Sequence, residues 1–243
     1  MEKVIYTAMS GAQHALMSQQ IHANNLANVD TTGFRADYER VMASTVEGDG
    51  FDSRVLAVEL SPGTNFSSAA LVSTGRKLDV GIRGKGWLTV QDSNGQEAYT
   101  RAGDLTVEAS GALTLHGRPV MGEAGEIVLP DYRDIDIGVD GSITVTPPGG
   151  GALIQVGRLK LVNPDESELS KGTDGMFRLQ NNATAEQDEN VVVASGFLED
   201  SNVNPVDEMI QSLQMTRNFE LQVKLMQASD DQAKSGNELV SGS

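Results

Sequence analysis

From Val4 to Val29 the chain carries no Asp, Glu, Lys or Arg, yet Gln13, His14, Ser18, Gln19, Gln20, Asn24, Asn25 and Asn28 leave it too polar for a membrane span. The same residues interrupt the apolar centre that a cleavable secretory signal needs. Within the stretch, Ile5, Met9, Ala12, Leu16, Gln19, Ala23 and Leu26 recur at alternating steps of four and three. That spacing places them on one stripe of a helix, a coiled-coil-like seam. A helix over residues 4–28 is roughly 38 Å long. Its seam is narrow and isolated helices are marginal in water, so it must pack on something.

The other end repeats the theme with Val206, Met209, Ile210, Leu213, Thr216, Phe219, Val223 and Met226, after an Asn204-Pro205 pair suited to a helix start. All seven prolines lie between Pro62 and Pro205, and 22 of the 26 glycines lie within residues 41–205. Because Pro and Gly break helices and supply turns, the middle reads as β structure bracketed by terminal helices. Short alternating runs at Trp87–Val90, Leu105–Val107, Ala112–Leu115 and Ile143–Val145 predict strands. Asn94-Gly95, Ser110-Gly111 and Asp140-Gly141 predict the hairpin turns among them.

The expected fold is therefore α+β. Residues 1–40 and 199–243 form a helical domain in which the N- and C-terminal helices pack together as a coiled coil. Residues 41–75, rich in Ser and Gly, form an extended connector, and residues 76–198 form a central antiparallel β-rich domain. Pro147–Gly151 and Asn181–Asn190 read as loops.

Little of this supports catalysis. The net charge of −16, of which −12 falls in residues 41–205, opposes nucleic acid and anionic membranes as partners. No cysteine is present, which removes disulfides, thiol nucleophiles and cysteine-held metals. His14 and His22 share a helix face without an acid nearby in sequence, and they read as an interfacial polar pair rather than metal ligands. Asp134–Gly141 resembles a calcium loop but has Gly138 at a ligand position and Val139 at the obligatory glycine, so a strand with one acidic face is expected. Gly81, Gly84 and Gly86 have the wrong spacing for a phosphate-cradling loop and read as tight turns. Aromatic residues make up only 5% of the chain, too few for a stacking platform. No catalytic residue, metal or cofactor is expected.

What stands out is uncharged and amide-rich. Asn24-Asn25-Leu26-Ala27-Asn28 is followed by Thr32-Gly33-Phe34-Arg35, where the asparagines favour helix termination and Gly33 is free to take positive φ. A plain helix stop explains Asn28 and Gly33 but leaves Asn24 and Asn25 without a purpose. The stretch 12–35 closely resembles the N-terminal signature of bacterial flagellar rod and hook proteins, N-N-L-A-N-x-x-T-x-G-F-K/R. At the other end Leu198-Glu199, Ser201-Asn202-Val203-Asn204, Glu208-Met209 and Arg217-Asn218-Phe219-Glu220 resemble the L-E-x-S-N-V-x motif of that family and the helix after it. Leu78-Asp79-Val80, Gly84-Lys85-Gly86-Trp87 and Tyr99-Thr100-Arg101-Ala102-Gly103 resemble its β-domain elements. The chain departs from the family at Ser212 and Thr216, where Met and Gln are usual. Within the family, residues 5–12 and Gly157–Leu161 look most like a proximal rod protein, with a distal rod or hook-type subunit as the alternative.

The resemblance implies a non-catalytic structural subunit of the basal-body rod, spanning the periplasm. It implies export without a cleavable signal by the flagellar type III apparatus, and polymerisation with copies of itself and other rod proteins to transmit torque from motor to hook. No nucleic acid and no direct membrane insertion are expected. The candidate subunit-assembly residues are Ile5, Met9, Ala12, Leu16, Asn24, Asn25, Leu26, Asn28, Thr32, Gly33 and Phe34 from the first half. From the second half they are Ser201, Asn202, Val203, Asn204, Met209, Leu213, Arg217, Phe219, Glu220 and Lys224. Missing charge has a physical reason there, since an ion buried between copies would lose its hydration without an assured partner. Arg217, Glu220 and Lys224, spaced three and four apart on the helix, are expected to bridge between subunits. A secreted β-rich binding module is the competing reading, and an aromatic-lined pocket would mark it.

Overall fold

The computed structural model describes residues 2–45, 55–180 and 183–241. Helix α1 spans Glu2–Ala27. Among the described residues nineteen strands follow: β1 (Asp37–Thr45), β2 (Val55–Thr64), β3 (Leu71–Ser73), β4 (Val80–Arg83), β5 (Trp87–Gln91), β6 (Glu97–Thr100), β7 (Thr106–Val107), β8 (Leu113–Leu115), β9 (Arg118–Pro119), β10 (Met121–Gly122), β11 (Gly125–Glu126), β12 (Asp134–Ile137), β13 (Ser142–Thr146), β14 (Ile154–Arg158), β15 (Leu161–Val162), β16 (Leu169–Lys171), β17 (Phe177–Leu179), β18 (Val192–Ser195) and β19 (Phe197–Glu199). Helix α2, Pro205–Ser241, closes the chain. Neither helix is long and apolar enough to cross a membrane.

The chain divides into two compact units. One comprises Met1–Val29, Ala36–Asn65 and Val203–Ser243; the other comprises Asp30–Arg35 and Phe66–Asn202. The expected connector is therefore largely paired structure: β1 and β2 form an antiparallel hairpin within the helical unit, with Asp37 opposite Thr64 and Tyr38 opposite Gly63. Gly63 makes room for the Tyr38 ring, because a Cβ there would lie 2.4 Å from the ring carbon Cζ. The centre of that connector, residues 46–54, lies outside the described residues, as do Asn181 and Asn182 of an expected loop.

In the β unit every strand pairing is antiparallel. The largest sheet has the order β15-β5-β6-β17-β16, and β12-β13-β14 and β7-β8-β9 form three-stranded sheets. Strands β5 and β6 are covered on both faces, so alternate residues enter two cores. Leu88, Val90 and Ala98 join an aliphatic cluster with Leu105, Leu115, Val120, Ile143 and Leu159. Trp87 and Tyr99 enter an aromatic one with Phe177, where the Trp87 and Phe177 rings lie 4.6 Å apart. Ordered turns follow the expected glycines: Gly95, Gly111 and Gly141 all take positive φ between strands. The acidic run at 134–137 is a strand that buries Ile135 and Ile137 and exposes Asp134 and Asp136.

Candidate functional site

In the helical unit α1 and α2 run antiparallel. Gln19 of α1 donates to Thr216 Oγ1 of α2 at 3.3 Å, and His22 Nδ1 lies 2.6 Å from Glu208 Oε2. Near the other end of α1, Gly11 packs on Gln222, and a Cβ there would sit 3.0 Å from its side-chain amide. The buried face of α1 is small: Ala8, Ala12, Ala15 and Ser18, with Asn25 at its end. Small side chains let two helices approach closely. Ser212 and Thr216, the two departures from the family pattern, lie half-buried on α2; Thr216 also donates to Ser212 O at 3.0 Å.

This face corrects the expected seam. Met9, Leu16 and Ala23 are exposed, and the residue one position earlier is more buried in each case: Ala8, Ala15 and His22. One residue is about 100° of helix rotation. The periodicity locates a stripe correctly in length and spacing, but the intramolecular face is turned from it, so only Ala12 and the half-buried Ile5, Gln19 and Leu26 lie on both.

Asn25 explains its own presence. It is 1% exposed. Its Oδ1 accepts from Asp37 N at 2.9 Å, and its Nδ2 donates to Asp37 O at 2.8 Å and to Glu208 Oε1 at 3.1 Å. Only an amide offers donor and acceptor together in this geometry. Asn28 Nδ2 donates to Asn24 O at 2.9 Å, closing the last turn of α1, while Asn24 itself is exposed. Both helix histidines meet carboxylates from distant segments, His14 Nε2 lying 2.6 Å from Glu39 Oε1 on β1. Among the described residues no group of three His, Cys, Asp or Glu side chains could hold a metal. Asn204 starts α2 as expected: its Oδ1 accepts from Val206 N at 3.1 Å, ahead of Pro205 at the first helical position.

The outward faces of the two helices are unusually apolar. Tyr6, Met9, Leu16 and Met17 are exposed on α1, and Val206, Met209, Ile210 and Leu213 are exposed on α2, Leu213 at 61%. Val206, Ile210, Leu213 and Arg217 follow one another at steps of four, three and four, so the apolar stripe runs into charge. Arg217, Glu220 and Lys224 are exposed and make no ion pair among the described residues. Phe219 faces the other way and is half-buried.

In the β unit, three sequence motifs meet at Glu199, its own and those of Arg35 and Arg101. Its Oε1 accepts from Arg35 Nη2 at 2.7 Å and from Ala69 N at 2.9 Å, and its Oε2 accepts from Arg101 Nη1 at 3.0 Å. All three charged side chains are at most 4% exposed. Arg101 Nη2 donates to Gly84 O at 2.7 Å, so the Gly84-Lys85-Gly86 turn presents a carbonyl to a guanidinium, not a cradle to phosphate. Burial pushes the Arg101 guanidinium down from its ordinary value; Glu199 opposes this and neighbouring Arg35 adds to it.

The backbone closes the same junction. Gly33 N donates to Glu199 O at 2.8 Å and Asn202 N to Phe34 O at 3.3 Å. Gly33 is required: its φ is +68°, and a Cβ would fall 2.2 Å from the Arg101 carbonyl carbon. Thr32 donates to Asp104 at 3.3 Å, and Lys171 Nζ donates to Arg35 O at 2.7 Å while lying 4.1 Å from the centre of the Phe34 ring. Asn202 Nδ2 donates to Ser67 O at 3.0 Å; Ser201 is half-buried, and Val203, at the start of the last helical segment, is buried. Thr32, Gly33, Phe34 and Asn202 thus come together inside the β unit, to which Ser201 also belongs. Glu199, Arg35, Arg101 and Glu208 were missed as site residues. Their signal was a charged residue within each short motif.

An open cleft of about 490 Å³ in the β unit is lined by Glu97, Met121, Glu123, Lys160, Glu186 and Gln187 among others, with no aromatic ring.

Comparison with known proteins agrees with the motifs end to end. A profile of flagella basal body rod proteins matches residues 5–35, one of the flagellar hook protein FlgE/F/G D1 domain matches 81–145, and one of the flagellar basal body rod FlgEFG protein C-terminal region matches 194–239. The flagellar basal-body rod protein FlgF of Escherichia coli (strain K12) is 41% identical, with 99% of each chain covered. FlgF of Salmonella typhimurium is 39% identical over 99% of each chain, and the rod protein FlgG of Bacillus subtilis (strain 168) is 30% identical over 95% of this chain and 96% of its own. Similarity of this extent, spanning both terminal helices and the β unit between them, establishes that the chain belongs to the flagellar basal-body rod protein family.

Proposed function

We propose that this chain is a structural, non-catalytic subunit of the flagellar basal-body rod, of the proximal kind, which polymerises into a helical array through its terminal helices. The single observation that carries the assembly reading is the outward face of α2. There Val206, Met209, Ile210 and Leu213 are exposed and run into Arg217, Glu220 and Lys224, which make no ion pair among the described residues. An apolar stripe of this length on a stable helix is a contact surface awaiting a partner. Head-to-tail contacts that do not close on themselves generate a helical array, the architecture of a rod.

In this reading the small-residue face of α1 seats α2, and the packing of the two helices continues between copies as a coiled-coil-like core. Met9 and Leu16 then belong to the contact with a neighbour. Thr32, Gly33, Phe34, Ser201 and Asn202 support assembly from within the subunit, by fixing the β unit. Partners are copies of this chain and other rod proteins, reached after export by the flagellar type III apparatus, and the site of action is the basal body. The competing binding-module reading needs an aromatic-lined pocket, and the cleft described in the β unit is lined by Glu97, Glu123, Glu186, Gln187, Lys160 and Met121 among others, with no aromatic ring.

The test is Ile210→Asp with Leu213→Asp. Purified monomer is expected to keep its folded β unit, while cells lose hook-basal bodies and motility. Normal rods and motility in cells carrying both substitutions would refute the role of that face.

A further inference from the structure

We propose that the turn carrying Arg83 and Lys85 on one copy docks in the cleft lined by Glu97, Glu123 and Glu186 on another, a contact between β units in addition to that of the helices. The inference rests on the reading of the chain as a subunit of a helical array, which brings the β units of neighbouring copies together.

Charge sets the problem. Residues 41–205 hold 24 acids and 12 bases. Copies of this region repel one another unless cations of one face acids of the next. Arg76, Lys77, Arg118, Arg158, Lys160 and Arg178 each pair with an acid of their own chain. Arg83 is exposed and makes no ion pair among the described residues. Lys85, two residues on, is 80% exposed, with its Nζ 3.8 Å from Glu166 Oε1. Arg133, the other exposed cation without an ion pair, stands in the field of the adjacent Asp134.

The turn is held so as to present these cations. Arg101 Nη2 donates to Gly84 O at 2.7 Å. Gly86, at φ +124°, passes close against Val191, where a Cβ would lie 2.5 Å from Cγ1. A Cβ on Gly84 would meet nothing within 4 Å, so the tip stands clear of its own chain. Both glycines thus have uses inside the subunit, while Lys85 has only the long contact with Glu166. A loop already fixed in place loses little freedom on binding.

The cleft is the complement. It measures about 490 Å³, and its lining sets Glu97, Glu123 and Glu186 against Lys160, three negative charges to one positive. Lys160 is engaged by Glu97, and Glu123 by Gln187 and Arg158. Glu186 is left exposed and without an ion pair among the described residues. Glu97 lies opposite Gln91, the last residue of β5, whereas the turn precedes Trp87, the first. The length of that strand, about 13 Å, lies between them. Two different patches of one chain, joined between copies, make a heterologous contact of the kind that propagates a helical array.

The experiment is zero-length cross-linking with a carbodiimide, which joins an amine to a carboxylate as an amide with loss of water. Isolated basal bodies and purified full-length monomer are treated in parallel, and linked peptides are read by mass spectrometry. The expected product is an amide from Lys85 to Glu186 or Glu123 in basal bodies, absent from monomer. Lys85→Glu is expected to lose that product and lower the recovery of basal bodies. Lys85→Glu with Glu186→Lys is expected to restore both, the amine and the carboxylate having changed places. Basal bodies in which Lys85 joins no carboxylate of the cleft overturn the proposal, as does the same amide in monomer, which would put both ends in one copy. Equal recovery from the single and the exchanged variant does so too. Cross-links from the helix faces use cysteines elsewhere on the chain, so basal bodies that give those products without this amide refute the β-unit contact and leave the array standing.

Discussion

Asn25 and Asp37 pair as if they were residues of adjacent strands: Asp37 N donates to Asn25 Oδ1 at 2.9 Å, and Asn25 Nδ2 returns the bond to Asp37 O at 2.8 Å. A helix side chain thus serves as the backbone of a strand partner, joining α1 to the first residue of β1. Asn25→Asp keeps the acceptor, loses the donor and sets a second carboxylate against Glu208. The loss expected in the helical unit is about 1–3 kcal/mol at pH 7, read as reduced protection of residues 4–28 in hydrogen exchange. Unchanged protection would show that the amide pair is dispensable.

Gly33 tests the conformational demand at the junction. Gly33→Ala forces a methyl toward the Arg101 backbone at a φ that L-residues avoid. Urea unfolding of the β unit is expected to show a loss above about 1 kcal/mol. A variant as stable as the parent would mean that the segment can be held in another conformation.

Acid should weaken the β unit in a way that Asp174 controls. Its hydrogen bond to Arg178, joined by one to Arg118, holds this carboxyl well below the usual carboxylate range. A depressed folded value contributes stability that is complete above the unfolded value of about 3.9 and fades as pH falls through the folded one. Asp174→Asn should therefore lower the midpoint of thermal unfolding at pH 7 while flattening its decline below about pH 4. Parallel pH profiles for the two proteins would contradict this.

Glu220 separates folding from assembly. It is exposed and makes no ion pair among the described residues, so Glu220→Lys should change monomer stability by no more than about 0.5 kcal/mol. Swimming and recovery of intact basal bodies should nevertheless fall, because in the proposed array Glu220 pairs with a cation of another copy. Normal motility would remove Glu220 from the subunit contact.

The terminal helices and the hairpin turns were legible because both are local: a 3.6-residue period at the ends, and Asn-Gly, Ser-Gly and Asp-Gly pairs in the middle. The face of α1 was not. Hydrophobicity selects Met9 and Leu16 over Ala8 and Ala15, but the chain buries the small residues and leaves the large ones exposed. A hydrophobic stripe marks where contact is made without saying which molecule makes it. The β1–β2 hairpin was missed because the Ser and Gly spread through residues 41–75 masked the extended residues among them. Its pairing depends on a cross-strand fit of Tyr38 on Gly63 that no local signal encodes. The Arg35–Glu199–Arg101 cluster draws on three motifs far apart in the chain, each readable as a signature, but only the fold brings their charges to one point.

The account as a whole stands on the outward helix faces meeting other subunits. Single cysteines at Leu16 and Leu213, introduced into a chain that otherwise has none, can be cross-linked within isolated basal bodies. The predicted result is covalent products between subunits from both positions, whose partners separate a proximal from a distal place in the rod. Rods that assemble normally yet yield only uncross-linked monomer from both positions would contradict it.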